Sequence, residues 1–369
     1  MQIAAVGVVV ALTAYLVHNT IVNMARAGIA SGFGYLGGQA SFEIGESLIR
    51  YSPTDTYARA LLVGVVNTLV IAALGIVFST VLGTIIGIAR LAQNWLVRVL
   101  ALVYVEAVRN VPLLLQLIVW WDLLRVSAPP ARQAWQPLPG VFVSVRGIVF
   151  PVPQWSPAYA WMLLAFVLGI AAAWSATAWG QRRHAVTGRE PPVFAISVLC
   201  IVGLPLAVFL LAGAPWTWSW PTLRVFNFVG GASLSPEFSA LLVGLVVYTA
   251  AFIAEIVRSG IEGVSGGQSE AAAALGLRRG LALRLVVLPQ ALRVIVPPMI
   301  SQFLNLTKNS SLAILIGYPD IVSVAETTLN QTGQAIEGIA IIMAVFLTIS
   351  LSISGFMNWY NKKIALVER

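Results

Sequence analysis

GIEGVSGGQSEAAAALGLRRGLALRLVVLPQALR, residues 260–293, stands between two long apolar runs and is too polar and too long for a simple turn. It must form structure outside the apolar phase. Gly266 and Gly267 punctuate its start, Gln268 to Leu275 is a run of strong helix formers, and Gly276 is placed to stop that helix as a left-handed cap. A second short helix is expected from about Leu281 to Leu288, with Pro289 interrupting it before the chain turns apolar again. Alanine side chains permit close backbone approach, and Glu270 complements the helix dipole near the N-terminus. Two readings fit this composition: a docking element for another protein, or an amphipathic connection lying on a membrane surface.

The sequence around this stretch favours a bilayer. Of 369 residues, 59% are hydrophobic and only 10% charged, a balance far too apolar for a water-soluble domain of this size. The apolar blocks are long enough to cross a hydrocarbon core, which takes about 20 helical residues, and they exclude a closed β-barrel of short alternating strands. Eight spans are expected, at about residues 2–18, 60–88, 98–124, 158–179, 192–213, 237–258, 291–314 and 336–359. The first is read as a retained helix, because no basic residue precedes it and no small-residue cleavage site is evident. Cys200 is the only cysteine, which rules out a disulfide framework and a cysteine metal site. His18 and His184 lie far apart in the sequence and support neither catalysis nor metal binding.

The net charge of +8 is spread over helix ends and forms no basic patch interleaved with aromatics, so no nucleic-acid partner is implied. It reads better as topology. Lys and Arg concentrate in alternate connections, and the tight ones, Arg90 to Arg98 and Gln181 to Glu190, obey the positive-inside rule best. Both termini and residues 260–293 are therefore expected in the cytoplasm, with Arg189 and Arg369 counted on that side. Trp216, Trp218 and Trp220 in APWTWSWP (214–221), together with Trp120, Trp121, Trp135 and Trp155, are expected as an aromatic belt at the opposite headgroup level.

Ionisable groups within the spans are costly and need a partner or a cavity. Glu106 and Arg109 are spaced i, i+3 and can touch on one helix face, with Asn110 beside them and Pro112 bending or breaking the helix just beyond. They read either as a structural ion pair or as a polar step lining a path. Glu255 and Arg258 repeat the spacing near a helix end, where a solvated pair steadying the 260–293 loop is favoured. Asn305, Lys308, Asn309, Ser310 and Ser311 form the densest polar cluster of the seventh span; the lysine either snorkels or anchors a ligand.

Glu270, Ala271 and Ala272, with Gly276 and then Leu288 and Pro289 at fixed distances, resemble the EAA motif of type I ABC importer permeases, with Val286 where isoleucine is usual. Asn67, Thr68 and Leu69, the segments YVEAVRNVPLLLQL (104–117) and YTAAFIAEIVRSGI (248–261), and NLTKNSSLA (305–313) resemble the polar or general L-amino acid branch of that family. The resemblance implies an all-α membrane fold, the MetI-like transmembrane domain. Its five-helix core would comprise the second, third, sixth, seventh and eighth spans within about residues 59–360. The N-terminal helix and external segment (1–58), an inserted external loop and helix pair (about 125–236) and a tail (361–369) would be additions.

From the same resemblance follows a division of labour. A periplasmic amino-acid-binding protein would deliver an L-amino acid, of broad or polar and acidic specificity, to a pathway made with a second homologous permease subunit, as a heterodimer. Two cytoplasmic ATP-binding subunits would bind ATP and Mg and receive the Glu270 helix. The chain itself would be non-hydrolytic and cofactor-free, in keeping with its lack of a G-x-x-x-x-G-K-[ST] phosphate loop. Location in the bacterial inner membrane and alternating access by rigid-body rocking are implied too. Given the family, Lys308 is favoured as an anchor for the substrate carboxylate. An ion-coupled secondary transporter is the main competing reading; it explains the buried Glu and Arg but gives no reason for the Glu270 to Pro289 loop. A structural scaffold leaves the polar residues within the spans without a role.

Overall fold

The computed structural model describes residues 2–26, 28, 31–188, 191–214, 216–225 and 227–364, so Arg189, Arg369 and Pro215 lie outside the described residues. Helix α1 (Gln2–Arg26) is largely apolar as far as Val17 and more polar from His18 to Arg26, and its membrane-length window buries nothing against the rest of the chain. An extended segment with one 3-10 turn (Phe33–Gly37) leads to α2 (Tyr57–Ala89), whose start is capped by the Thr56 hydroxyl accepting from the Arg59 N–H. Asn94 caps α3 (Trp95–Arg109) in the same way.

The third expected span is broken. Helix α3 ends at Arg109, α4 (Leu113–Arg125) follows, and the two axes differ by 103°. Proline at 112 supplies no N–H and forces Val111 out of helical geometry. The carbonyls freed at the break are recovered by one side chain: Gln116 donates to Val108 O and Val111 O, both at 2.9 Å. At membrane depth such groups must be satisfied internally.

Residues 129–234 make a compact unit of their own. Short strands β1 (Trp135–Leu138), β2 (Val141–Ser144), β3 (Gly147–Phe150) and β4 (Val152–Pro153) precede α5 (Pro157–Thr187), which Gly188 ends at φ +67°. Helices α6 (Val193–Val198) and α7 (Leu204–Leu211) join through a π-turn at Leu199–Gly203 and return along α5. Strands β5 (Trp218–Ser219), β6 (Thr222–Arg224), β7 (Asn227–Val229) and β8 (Ala232–Leu234) complete the unit. The main sheet is antiparallel in the order β1-β2-β3-β8, with Phe142 opposite Val149 and Ile148 opposite Leu234. Strands here were not expected; the connection reads in sequence as loops, because runs of two to four residues broken by proline hide any alternation.

The other unit comprises residues 1–128 and 235–369. Its second half begins at α8 (Pro236–Glu262), capped by Ser235, and continues through α9 (Gly266–Ala274), α10 (Arg279–Ala282), α11 (Leu288–Asn309), a 3-10 segment (Ser310–Ile316), α12 (Ile321–Thr332) and α13 (Ala335–Ile364). Helix α8 is the hub and packs against α2, α3, α4 and α11. Small residues allow it: a Cβ on Gly83 would lie 2.7 Å from Ile253, and one on Gly87 would lie 2.8 Å from Ala254 O. Close backbone approach of this kind replaces the hydrophobic drive that lipid cannot supply. Between α8 and α11 the buried cluster is Ile253, Val257, Ala291, Ile295, Met299 and Phe303. Among the described residues, seven helices are long and apolar enough to cross a membrane, and an eighth passage arises if α3 and α4 count as one. The architecture is thus a helical membrane bundle, with little sheet.

Candidate functional site

At the Ala89 end of α2, the loop from Gly263 to Val287 projects from the bundle. Gly276 has φ +73°, Leu277 N–H reaches Ala272 O at 3.1 Å and Gly276 N–H reaches Ala273 O at 2.9 Å. Together these bonds make the left-handed stop that the glycine foretells. Among the residues of α9 whose burial is described, Ala272 is the one turned inward, at 2% exposure, whereas Glu270 and Ala271 are exposed. Leu275, Leu281, Leu283 and Leu285 present apolar side chains outward, and Leu275 is 81% exposed. One hydrogen bond, Gln290 to Gln268 at 3.2 Å, ties α9 to α11.

The expected break at Pro289 does not occur. Helix α10 passes through a π-turn at Leu283–Val287 directly into α11, where Leu288 is exposed and Pro289 sits half-buried in the first turn. The widened turn, closed by Leu288 N–H to Leu283 O, leaves room for the proline ring and spends no N–H that proline lacks.

Glu255 gathers this end of the bundle. It accepts from Arg258 on its own helix and from Arg90 at the end of α2, and Arg258 also pairs with Glu262. The Arg90 guanidinium is only 10% exposed, so this is a shielded clamp between the ends of α2 and α8 and not the solvated local pair expected. Nothing in the sequence marks Arg90 as the partner of Glu255, 165 residues away.

The two polar clusters fare differently. Glu106, Arg109 and Asn110 are exposed at the end of α3, and Glu106 and Arg109 form no ion pair. Arg109 lies over the Phe252 ring of α8 at 5.1 Å, and the Asn110 amide donates to Glu106 O at 2.7 Å. The guanidinium thus prefers an aromatic face across the bundle to its i−3 carboxylate. At the end of α11, Asn305 and Lys308 are exposed and Asn309 half-buried; in the 3-10 segment that follows, Ser311 is half-buried and Ser310 buried. Ser310 and Ser311 return their hydroxyls to Thr307 O and Lys308 O, each at 2.7 Å. Lys308 and Ser311 line a concavity of ≈ 670 Å³ whose other wall is Val322 of α12 with Ile342, Met343, Phe346, Leu347 and Ser350 of α13. Glu106, Arg109 and Asn110 are not part of its lining.

Residues 75–366 match the family described as the binding-protein-dependent transport system inner membrane component. The chain belongs to this family. At full length it is 49% identical to the general L-amino acid transport system permease protein AapQ of Rhizobium johnstonii, covering 92% of that protein. It is likewise 49% identical over its whole length to the putative amino-acid ABC transporter permease protein YhdX of Escherichia coli, covering 94%. To the glutamate/glutamine/aspartate/asparagine transport system permease protein BztB of Rhodobacter capsulatus the identity is 42%, again over the whole chain and 94% of the relative.

The permease chain also carries a polar knot at the Tyr57 end of α2 that sequence reasoning missed. The Asn67 amide donates to Glu46 O and Pro319 O, both at 2.9 Å, and the Thr68 hydroxyl accepts from Ile321 N–H at 3.0 Å. Tyr318 reaches Asn67 O, Glu46 is bonded to Ser235, and Asp320 caps α12 through Ser323 N–H at 2.9 Å. Burial pushes the Asp320 carboxyl up to about 7 and raises Glu46 as well; for Asp320 the Ser323 and neighbouring backbone N–H groups offset only part of the desolvation. Beside the knot, Glu43, Glu46, Arg125, Ser235, Glu237 and Ser323 line a polar hollow of ≈ 450 Å³. Asn67 and Thr68 stand out in the sequence as polar residues within a span, but their partners lie about 250 residues away.

Proposed function

We propose that this chain is the membrane subunit of an ATP-driven importer of L-amino acids, with α9 as the coupling helix that docks on one of two partner ATPases. The observation that carries the reading is full-length similarity to permeases whose names specify general L-amino acids or glutamate, glutamine, aspartate and asparagine. A capped helix with Glu270 outward, Ala272 packed inward and unspent leucines around it supports α9 as a docking handle. A second homologous permease subunit would complete the pathway, and a periplasmic binding protein would supply substrate at the end of the bundle opposite α9. The Lys and Arg distribution supports placing α9 and both termini in the cytoplasm. ATP and Mg would belong to the partners. Closure of the ATPases would move the α9 handles together and rock the rigid α2–α8–α11 core between outward and inward access.

Within the pathway, Lys308 is the anchor proposed for the substrate carboxylate, because it faces a concavity whose remaining walls are largely apolar and an ammonium there gains from a charged partner. Lys308→Met is expected to lower uptake at least about tenfold, the loss of one charge-assisted hydrogen bond, with assembly unchanged. Unchanged uptake would remove Lys308 from the pathway.

The decisive experiment is co-purification of the ATPase subunit with wild-type protein and with Glu270→Arg. Loss of the ATPase and of ATP-dependent uptake in the variant, at unchanged membrane abundance, is the expected result. Uptake by this chain without any ATPase would instead indicate an ion-coupled carrier.

A further inference from the structure

The unit at residues 129–234 contains a basic cavity that the transport reading does not use. Strands β3, β7 and β8 and the glycine turn between the last two enclose ≈ 420 Å³ lined by Arg146, Asn227, Gly230, Gly231 and Ser233. The Arg146 guanidinium makes no ion pair or hydrogen bond among the described residues. No acid is at hand to neutralise it: residues 129–156 and 212–234, which hold all the strands, contain Arg132, Arg146 and Arg224 and not one Asp or Glu. The cavity wall is fixed by backbone contact, since a Cβ on Gly230 would lie 2.6 Å from Trp220 O and one on Gly231 would lie 2.5 Å from Phe150 O.

The same wall places the cavity beside a row of aromatic side chains. Gly231 N–H donates to the Ser219 hydroxyl at 2.9 Å, between Trp218 and Trp220, whose rings are 6.5 Å apart and continue to Trp216 at 6.3 Å. Trp155, Trp216 and Trp220 are exposed, and they flank the start of α5 and the end of the continuous run from α6 through α7 (Val193–Leu211), both of membrane-crossing length. Tryptophans at such junctions sit among headgroups, where arginine meets lipid phosphate. A fixed fork of N–H donors suits a phosphate better than a point charge would.

We propose that the Arg146 cavity binds the phosphate of an anionic lipid headgroup, holding the strand-rich unit to the membrane surface. The test uses the full-length protein, delipidated in detergent and titrated with phosphatidylglycerol, phosphatidylcholine or inorganic phosphate while bound lipid is counted by native mass spectrometry. Wild type should bind phosphatidylglycerol in preference to phosphatidylcholine; Arg146→Gln should weaken that binding about tenfold, the loss of one charge-assisted contact, and Arg146→Lys should restore part of it. Equal phosphatidylglycerol binding by wild type and Arg146→Gln overturns the proposal. So does binding of inorganic phosphate without the lipid, which would make the cavity a site for a free anion. Loss of binding-protein association in Arg146→Gln with lipid binding intact would assign the cavity to a protein surface and overturn the proposal as well.

Discussion

The α9 loop and the Asn67–Asp320 knot stand at the two ends of α2 and spend their polar groups in opposite ways. In the loop, local bonds finish the helix, Gln268 and Ala272 hold it to its neighbours, and Glu270 and the exposed leucines remain unspent. In the knot, Asn67, Thr68, Tyr318 and Asp320 are all buried and join segments far apart in sequence. The proposed docking handle needs free surface, whereas a knot that joins distant segments needs stiffness. Substitutions in the knot should therefore cost stability, and substitutions in the loop should cost coupling alone.

Asn67→Leu tests that division most severely. It strips donors from Glu46 O and Pro319 O in a buried setting, and the expected loss is on the order of 3 kcal/mol, read as a lowered melting temperature of the detergent-solubilised protein. Thr68→Val keeps the shape and removes the acceptor for Ile321 N–H along with the hydroxyl's own bond to Gly64 O, so about 1–2 kcal/mol should go by the same measurement. A melting temperature unmoved by both changes would show that the knot is incidental.

The Asp320 carboxyl gives the comparison a pH axis. Its ordinary value is 3.8 and burial lifts it to about 7, so between these values the folded chain holds a proton that the unfolded chain has released. That contribution to stability is complete below about pH 4 and declines as pH rises through about 7. Glu46, raised in the same direction, adds to the slope, and Tyr318 stays neutral throughout because burial and both carboxylates push it up. Asp320→Asn keeps an N-cap oxygen for Ser323 N–H and removes the ionisation. Its melting temperature should fall less between pH 5 and pH 8 than that of wild type, by a few degrees. A wild-type melting temperature that rises over this interval would refute the assignment.

Legibility in the sequence followed the range of the interactions. Gly276, the helix before it and most span positions were readable because caps and apolar runs are local, and Pro112 announced a break whose 103° sharpness it did not give. Pro289 misled, because the π-turn at Leu283–Val287 that accommodates it leaves no mark in composition. The expected Glu106–Arg109 contact failed when Phe252, some 140 residues on, offered the arginine a ring. Likewise, Ser310 looked like part of a polar lining until the backbone carbonyl of Thr307 claimed its hydroxyl. The partners of Arg90, Asn67 and Thr68 are tertiary facts throughout. Strands of two to four residues in the 129–234 unit fall below the length at which alternation can be recognised.

The smallest expected effect on stability is also the most direct probe of the handle. Gly276→Ala places a Cβ in a left-handed residue at a local cost of about 1 kcal/mol, although nothing lies within 4 Å to obstruct the side chain. Because α9 rests on the bundle through little more than Ala272 and one Gln290–Gln268 bond, that cost has no route into the core, and the melting temperature should not move. ATP-dependent uptake should nevertheless fall severalfold, since a frayed α9 no longer carries Glu270 in a fixed direction. Should the melting temperature drop in step with uptake, α9 would be part of the folded core and the contrast with the knot would be lost. If uptake holds while stability holds, the stop at Gly276 matters to the shape of the loop and not to its grip.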